Sequence, residues 1–266
     1  MSIDAARCWA SLQAIRREAP LVQNITNFVS MDVVANSLLA LGASPAMVHA
    51  KEEVADFAAI ARALVVNIGT LTPPWVEAMV KAAETMTAKN KPWVLDPVGV
   101  GATPYRTRTA SQLAALGPSV IRANASEILA LAGAALGPTK GVDSTHSSDE
   151  AIEAADHLAR QLGAIVAVTG AVDYVTDGER SLSVGNGHPM MTKVTALGCA
   201  ASGVVGAFLV VEKDPLAAAA EALSVFGLAA ERAANMAEGP GSLRWRLLDQ
   251  LAALDEAALD DGVCIE

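Results

Sequence analysis

Short runs of β-branched and apolar residues alternate along the chain with longer segments in which apolar residues recur at helical spacing. The short runs predict strands at residues 63–68, 92–95, 119–121 and 164–169. The helical spacing predicts helices at residues 73–89, 125–132 and 149–162. This alternation is typical of an α/β fold, so we expect a mostly parallel central sheet with helices on both faces.

Two regions break the alternation. Residues 174–184 hold an Asp-Gly pair between two strand-like arms, which predicts a β-hairpin. From Gly198 onward the pattern is almost entirely helical, with breaks near residues 214 and 240. No linker, repeat or low-complexity tract divides the chain, so we expect residues 1–266 to form a single domain.

Composition and charge limit the kinds of core, partner and binding site that the protein can have. Hydrophobic residues make up 52% of the chain and aromatic residues only 4%, so we expect a core of Ala, Val and Leu. The apolar stretches are shorter than the ~18 residues of a membrane span, and no signal-peptide pattern is visible. The net charge of −10 argues against a nucleic-acid partner. Any phosphate site must therefore be locally cationic, or built from N–H groups and a metal.

The cysteines are few and widely separated. Cys8, Cys199 and Cys264 form no C-x-x-C pair, which excludes a cysteine zinc site. This usage suits a reducing compartment, so we expect a cytoplasmic protein.

The segment M-T-K-V-T-A-L-G-C-A-A-S-G-V-V at residues 191–205 carries the strongest local signal. Gly198, Cys199 and Ala200 fall in the first turn of a predicted helix, where free N–H groups bind anions and small side chains let a phosphate approach. The helix dipole would also favour the Cys199 thiolate and so supply a base. The alternative is a small core cysteine, because cysteine is among the most buried residue types.

Polar residues stand at three predicted strand ends, where open α/β sheets bind ligands: Asn67, Asp96 and Thr169. A carboxylate just past a buried strand is costly unless it meets a metal, a donor or a substrate. The alternative for Asp96 is a turn residue that bonds its own backbone before Pro97. For Thr169 and Gly170, the alternative to a ligand-binding strand end is an ordinary tight turn.

The segment I-R-A-N-A-S-E from Ile121 has two compatible interpretations. Asn124 and Glu127 have the spacing of a helix capping box. Arg122 could also meet a phosphate, with Glu127 holding a hydrated Mg²⁺. The nearby Gly99-Val100-Gly101 stretch fails as a dinucleotide-binding pattern, and no P-loop is present.

Two other groups of polar residues need partners or explanations. Asn24, Asn27 and Asn36 lie among apolar residues, so their amides require backbone or ligand partners. The histidines show no metal-ligand spacing and are interpreted as surface or packing residues: His49, His146, His157 and His188.

Seven motifs occur in order between residues 20 and 251. They are N-I-T-N-F-V at Asn24, L-L-A-L-G-A-S-P-A-M at Leu38, N-I-G-T-L at Asn67, L-D-P-V-G-V-G-A-T at Leu95, I-R-A-N-A-S-E at Ile121, N-G-H at Asn186 and T-K-V-T-A-L-G-C at Thr192. Together they resemble the hydroxyethylthiazole kinase family, thiamin-salvage enzymes of the ribokinase-like superfamily. The resemblance implies a ribokinase-like fold and ATP-dependent phosphorylation of the hydroxyl of 4-methyl-5-(2-hydroxyethyl)thiazole. It also implies a homotrimer with active sites between subunits.

The same resemblance implies roles for individual residues. Cys199 falls where most of the superfamily has a catalytic aspartate, and Gly198 precedes it at the helix start. The other implied positions are Asn27, Met47 and Ala196 for the substrate, Arg122 and Thr169 for ATP, and Asp96 and Glu127 for Mg²⁺ and phosphate.

Two positions depart from the family pattern, and both bear on substrate fit. Asp32 stands where a family member can carry Asn, and Ala196 replaces the first glycine of V-T-G-x-G-C. Because alanine is not equivalent to glycine at positive φ, we expect a negative φ at Ala196. Its methyl group would then narrow the substrate side of the pocket, with Leu197 packed inward beside it.

Two other functions stay open at this point. A related kinase for pyrimidine or pyridoxal alcohols would share the nucleotide half and differ near Asn27 and Met47. A non-catalytic ligand-binding protein of the same fold is the second alternative. Magnesium-dependent ADP release with the thiazole separates an enzyme from a binder.

Overall fold

The computed structural model describes residues 3–136 and 148–266, and the strands of these residues form one eight-stranded sheet. The strands are β1 (Leu21–Ile25), β2 (Ser44–Ala46), β3 (Ala63–Asn67), β4 (Trp93–Asp96), β5 (Val120–Asn124), β6 (Ile165–Thr169), β7 (Asp173–Thr176) and β8 (Ser181–Val184). Their order is β2-β1-β3-β4-β5-β6-β7-β8. The first six are parallel, and β7 and β8 add an antiparallel hairpin at one edge.

Helices cover both faces of the sheet. They are α1 (Ala5–Glu18), α2 (Met31–Leu41), α3 (Val54–Ile60), α4 (Pro73–Ala88), α5 (Pro104–Ala114), α6 (Ala125–Leu136), α7 (Ser148–Leu162), α8 (Leu197–Val211), α9 (Pro215–Met236), α10 (Pro240–Ala253) and α11 (Glu256–Gly262). A short 3-10 helix, Pro189–Lys193, precedes α8. None of the described helices is long and apolar enough to cross a membrane.

Each face of the sheet has its own hydrophobic core. Alternate strand residues such as Val65 and Val94 pack under α1, α2 and α8–α11, whereas Leu64 and Leu95 pack under α3–α7. Strands buried on both faces carry continuous apolar runs, which is why the sequence pattern was informative. Helix α8 lies over β1, β3 and β4. A Cβ at Gly206 would lie 2.8 Å from the Val65 side chain, so this glycine allows the close approach.

The predicted architecture is confirmed. Strands β3–β6, helices α4, α6 and α7 and the β7–β8 hairpin coincide with the sequence predictions to within a few residues. The helical C-terminal region breaks at Asp214 and Gly239, as expected. Strands β1 and β2 were not predicted. His146 lies outside the described residues.

Candidate active site

Six parallel strands end at one edge of the sheet, and α8 begins above that edge. The register pairs Asn67 with Asp96 at the ends of β3 and β4, and Asn124 with Thr169 at the ends of β5 and β6. Carboxyl ends of parallel strands are where open α/β sheets bind ligands. The polar residues predicted at separate strand ends are therefore neighbours in the structure.

The Cys199 sulfur, on α8, accepts hydrogen bonds from side chains at the ends of β1 and β3. Asn67 Nδ2 donates to Cys199 Sγ at 3.2 Å, and Asn27 Nδ2 donates to the same sulfur at 3.4 Å. The two amides are themselves joined, because Asn27 Nδ2 donates to Asn67 Oδ1 at 2.9 Å. The sulfur therefore has fixed donors on its protein side, which is more than a small packing residue requires.

Asp96 is fully buried behind this cysteine. Its Oδ2 accepts hydrogen bonds from Asn67 Nδ2 at 2.7 Å and from Ser202 Oγ at 2.8 Å. Its Oδ1 is buried without a hydrogen-bond partner. Burial raises the pKa of Asp96, while the positive charge of Arg122 opposes the rise. The turn interpretation does not explain a buried carboxylate whose second oxygen is left unpaired.

The expectation that the helix start favours a Cys199 thiolate is wrong. Burial raises the pKa of the thiol, and the nearby Asp96 charge raises it further. The hydrogen bonds from Asn27 and Asn67 and the charge of Arg122 act in the opposite direction but do not reverse the shift. Desolvation disfavours the charged form of the thiol. The raised pKa therefore favours the neutral thiol over the thiolate.

Gly198 and Arg122, which the sequence predicts to bind an anion, lie side by side. Gly198 is the second residue of α8, and a Cβ there would lie 2.8 Å from Arg122 Nη1. The guanidinium therefore lies directly over the helix start. Arg122 Nη2 donates to Thr169 Oγ1 at 2.6 Å, and Arg122 Nε is buried without a partner. An arginine with a free donor beside free helix N–H groups suits a phosphate.

Glu127 acts as a capping residue and also reaches the β4 turn. Asn124 Oδ1 accepts from Glu127 N at 3.0 Å, and Glu127 Oε2 accepts from Asn124 N at 3.1 Å. This reciprocal pair is the predicted capping box. Glu127 Oε1 accepts from Gly99 N at 2.8 Å. The cap therefore holds the glutamate beside the loop that follows Asp96.

The donor set fits a magnesium ion that is bound mainly through substrate phosphates. Among the described residues, no three His, Cys, Asp or Glu side chains are grouped closely enough to hold a metal by themselves. Mg²⁺ usually keeps several waters and takes one or two carboxylates plus phosphate oxygens. Asp96 Oδ1 is an unpaired buried oxygen. Both Glu127 oxygens already accept hydrogen bonds from backbone N–H groups, so Glu127 would contact the ion through a water molecule.

A cavity of about 580 Å³ opens beside the anion site. Its lining includes Arg122, Thr169, Gly170, Asp173, Gly187, His188, Met191, Gly198, Leu223 and Phe226. Its volume is within the range of roughly 300–1,000 Å³ that small-molecule sites occupy, and its lining extends from the end of β6 to α9. Burial raises the pKa of Asp173 in this cavity to about 6, against the opposing hydrogen bond from Gly170.

The expectation of a negative φ at Ala196 is also wrong. Ala196 is the N-cap of α8 with φ 68° and ψ 3°, which is the left-handed region. Its carbonyl accepts the first helical hydrogen bond, from Ala200 N at 2.9 Å, so the strained residue sets the start of the helix. Leu197 is buried beside it, as predicted. Glycine would adopt this conformation without strain, which accounts for glycine in the family pattern.

Ala196→Gly is expected to raise the free energy of unfolding by about 1 kcal/mol, because it relieves the left-handed alanine. Ala19 is a matched control, since it has φ 41° at the C-cap of α1 and is exposed. Ala19→Gly should stabilise the protein in denaturant titrations without changing its kinetics. Only Ala196→Gly should lower the KM for the thiazole or admit bulkier alcohols. Identical substrate ranges for both variants would show that Ala196 has no role in substrate fit.

The residues predicted for the substrate lie at the ends of β1 and β2. Asn27 follows β1 and Met47 follows β2, which pairs with β1 in parallel, so both are at the same edge of the sheet. Asp32 is exposed and forms an ion pair with Arg244, and Asn36 donates to the Asp32 backbone and side chain. Asn24 donates to Val22 O. Asp32, Asn36 and Asn24 therefore have protein partners.

Some residues of the site were not predicted. Ser202 donates a hydrogen bond to Asp96. The sequence feature that could have indicated it is its position three residues after Cys199, which places its hydroxyl on the same side of an Ala/Gly-rich helix. Asn67 was noted as a strand end but not as a partner of Cys199. Two histidines that were assigned to packing have specific places. His188 caps the 3-10 helix in the cavity wall, and His49 contacts Trp75.

The sequence matches a family model described as the hydroxyethylthiazole kinase family over residues 12–257. A hydroxyethylthiazole kinase from Cereibacter sphaeroides is 57% identical over 259 residues, which is 97% of this chain and 98% of that protein.

The solved structures give the same result for the fold. A hydroxyethylthiazole kinase structure from Pyrococcus horikoshii superposes with a TM-score of 0.91 at 43% identity, covering 97% of this chain and 98% of that one. A ribokinase-like superfamily protein from Enterococcus faecalis has a TM-score of 0.60 at 14% identity and covers 87% of this chain and 86% of that one. The latter similarity concerns the fold alone, and it confirms the ribokinase-like architecture.

Proposed function

The chain belongs to the hydroxyethylthiazole kinase family, and from this membership and the site geometry we propose how its residues share the reaction. The enzyme phosphorylates the hydroxyl of 4-methyl-5-(2-hydroxyethyl)thiazole to the monophosphate in thiamin salvage, with ATP as the phosphoryl donor. One observation supports this assignment of roles most directly. Cys199, which accepts hydrogen bonds from two amides, directly follows Gly198, and the Arg122 guanidinium lies over Gly198.

The acceptor alcohol binds on the Cys199 side of the helix start. Asn27 and Met47 line the thiazole pocket from the ends of β1 and β2, and Ala196 bounds it where α8 begins. The alcohol hydroxyl donates a hydrogen bond to Cys199 Sγ, which is held by Asn27 and Asn67. The thiol orients the hydroxyl oxygen toward the phosphate, and the thiolate form accepts the proton as transfer proceeds.

The ATP phosphates bind on the Arg122 side. Thr169 fixes the Arg122 guanidinium through its hydroxyl, and the guanidinium lies over the start of α8 where the phosphates bind. Phosphoryl transfer depends mainly on positioning and charge stabilisation. The N–H groups at Gly198 stabilise the negative charge that develops on the transferred group, as an anion hole does.

We propose Mg²⁺ as the metal, with Asp96 as its carboxylate ligand and Glu127 acting through water. Bound there, the ion would neutralise phosphate charge and orient the transferred group. Asp96 keeps an unpaired oxygen for this purpose while Asn67 and Ser202 hold the other oxygen. Because the chain has a net charge of −10, local cations are needed to offset its repulsion of ATP.

The assignment is tested by a coupled ADP-release assay over a panel of alcohols. The panel holds the thiazole, pyridoxal and hydroxymethylpyrimidine, each measured with and without Mg²⁺. We expect magnesium-dependent ADP release with the thiazole. Transfer to pyridoxal or the pyrimidine, with none to the thiazole, would overturn the assignment. Thiazole binding without ADP release would support the binding-protein alternative.

We propose that the enzyme is a homotrimer with its active sites between subunits. Phe28 and Val29 support this, because they adjoin Asn27 and are 66% and 61% exposed. Large apolar side chains beside a site are typical of a surface that a partner covers. Light scattering should give about three times the mass of one chain, as for a closed cyclic assembly. A stable, fully active monomer would contradict shared active sites.

We also propose that the enzyme acts in the cytoplasm. Cys8, Cys199 and Cys264 are all free thiols in the structure. A reaction that needs the Cys199 thiol suits a reducing compartment.

A further inference from the structure

Arg106 contacts the loops that follow β3 and β4, the two strands that end in Asn67 and Asp96. It sits on the first turn of α5. Its Nη1 donates to Ile68 O at 2.7 Å and to Val98 O at 2.9 Å, and its Nη2 donates to Gly69 O at 2.9 Å. One guanidinium thus joins the loop after β3 to the loop after β4.

These contacts complete a closed set of hydrogen bonds around Asp96. Ile68 N and Val98 N both donate to the Asp96 backbone carbonyl, at 3.2 Å and 2.9 Å. The carbonyls of the same two residues both accept from Arg106 Nη1. Ile68 and Val98 are therefore held from both sides, and the Asp96 backbone is fixed between them.

The third contact acts on the Asn67 side chain. Gly69 N donates to Asn67 Oδ1 at 2.9 Å, while Gly69 O accepts from Arg106. A Cβ at Gly69 would lie 2.6 Å from Asn27 Nδ2, so this loop also packs closely on the second amide. Displacement of Gly69 would therefore disturb both donors to Cys199.

We propose that Arg106 is a positioning residue for phosphoryl transfer. It holds Asn67 and Asp96 in place through the carbonyls of Ile68, Gly69 and Val98. The planar fork of arginine can reach carbonyls in two loops at once, whereas a lysine ammonium is a single point charge and cannot reproduce the set. The inference rests on the proposed function, because it concerns the same reaction.

The test compares Arg106→Lys and Arg106→Ala with the same two changes at Arg108, which is exposed on the same helix. Misplacement of reacting groups by about 1 Å can lower a rate ~100-fold, so we expect a kcat loss of that size in both Arg106 variants. The KM for ATP should stay within about twofold, because Arg122 and Thr169 lie on other strands. The Arg108 variants should match the parent enzyme.

Two further measurements separate positioning from general damage. Guanidinium chloride, kept below the concentration that unfolds the protein, should restore part of the kcat of Arg106→Ala and leave the Arg108 variants unchanged. Each kcat is measured with whichever alcohol of the panel the parent phosphorylates, so that an error in the substrate assignment does not obscure the result. An Arg106→Lys enzyme with parental kcat would overturn the inference. So would an Arg106→Ala enzyme whose loss follows its unfolded fraction and resists guanidinium.

Discussion

Cys199→Ala is expected to lower kcat by ~10²–10⁴-fold, the range for loss of a positioned proton acceptor. The affinity for ATP should change little, because Arg122 and Thr169, the proposed phosphate ligands, lie on the other side of the helix start. Steady-state kinetics with both substrates at saturation measure the effect. Cys264→Ala is the matched control, since it removes an exposed thiol. Full kcat in Cys199→Ala would show that the cysteine only packs.

The pH dependence separates a base from an orienting group. Burial and Asp96 raise the pKa of Cys199, so the thiolate fraction is small at neutral pH. As long as the pH stays below that pKa, the fraction grows about tenfold for each unit by which the pH increases. If the thiolate accepts the proton, kcat rises with pH through the neutral range. Cys199→Ser should remove that rise, because the serine hydroxyl does not ionise there. A rise that persists in Cys199→Ser would assign the base to another group.

Gly198→Ala is expected to lower kcat by ~10²–10³-fold, comparable to removal of an anion-hole donor. The added methyl group would lie 2.8 Å from Arg122 Nη1 and 3.1 Å from Nη2, so the guanidinium must move off the helix start. The KM for ATP should rise as well, because the same guanidinium binds its phosphates.

Gly133→Ala provides the control for this substitution. Gly133 is also helical, and a Cβ there meets no atom within 4 Å, so the same chemical change has open space. Thermal unfolding of both variants shows whether the fold is kept. A folded Gly198→Ala enzyme with parental kcat and KM would contradict an anion hole at this helix start.

Sequence pattern predicted the part of the fold that is buried on both faces. Strands β3, β4 and β6 are continuous apolar runs, and their polar last residues indicated the edge that carries the site. Strand β1 was missed because Gln23 and Asn24 interrupt its apolar pattern while being buried. The partner of Gln23 Nε2, Val48 O, comes from tertiary structure. Strand β2 has only three residues and a central proline, so its sequence pattern is too short to predict a strand.

For the candidate site, the sequence indicated several of the residues that lie together but not how they interact. Cys199, Gly198 and Arg122 converge because α8 begins above the strand ends, and the order of elements alone indicates that edge. The pKa of Cys199 is raised first by burial and then by the charge of Asp96, a residue about a hundred positions away that becomes its neighbour only after α8 crosses the sheet. The left-handed Ala196 was missed because local preference predicts against it, and the surrounding structure imposes it.

The most direct test is a crystal structure of the enzyme with Mg²⁺, a non-hydrolysable ATP analogue and the thiazole. We expect the thiazole hydroxyl within hydrogen-bond distance of Cys199 Sγ and about 3–3.5 Å from the γ-phosphorus, as in a near-attack arrangement. The γ-phosphate should contact the Gly198 N–H and Arg122. A γ-phosphate bound away from the start of α8, or a hydroxyl directed away from Cys199, would contradict phosphoryl transfer at this site.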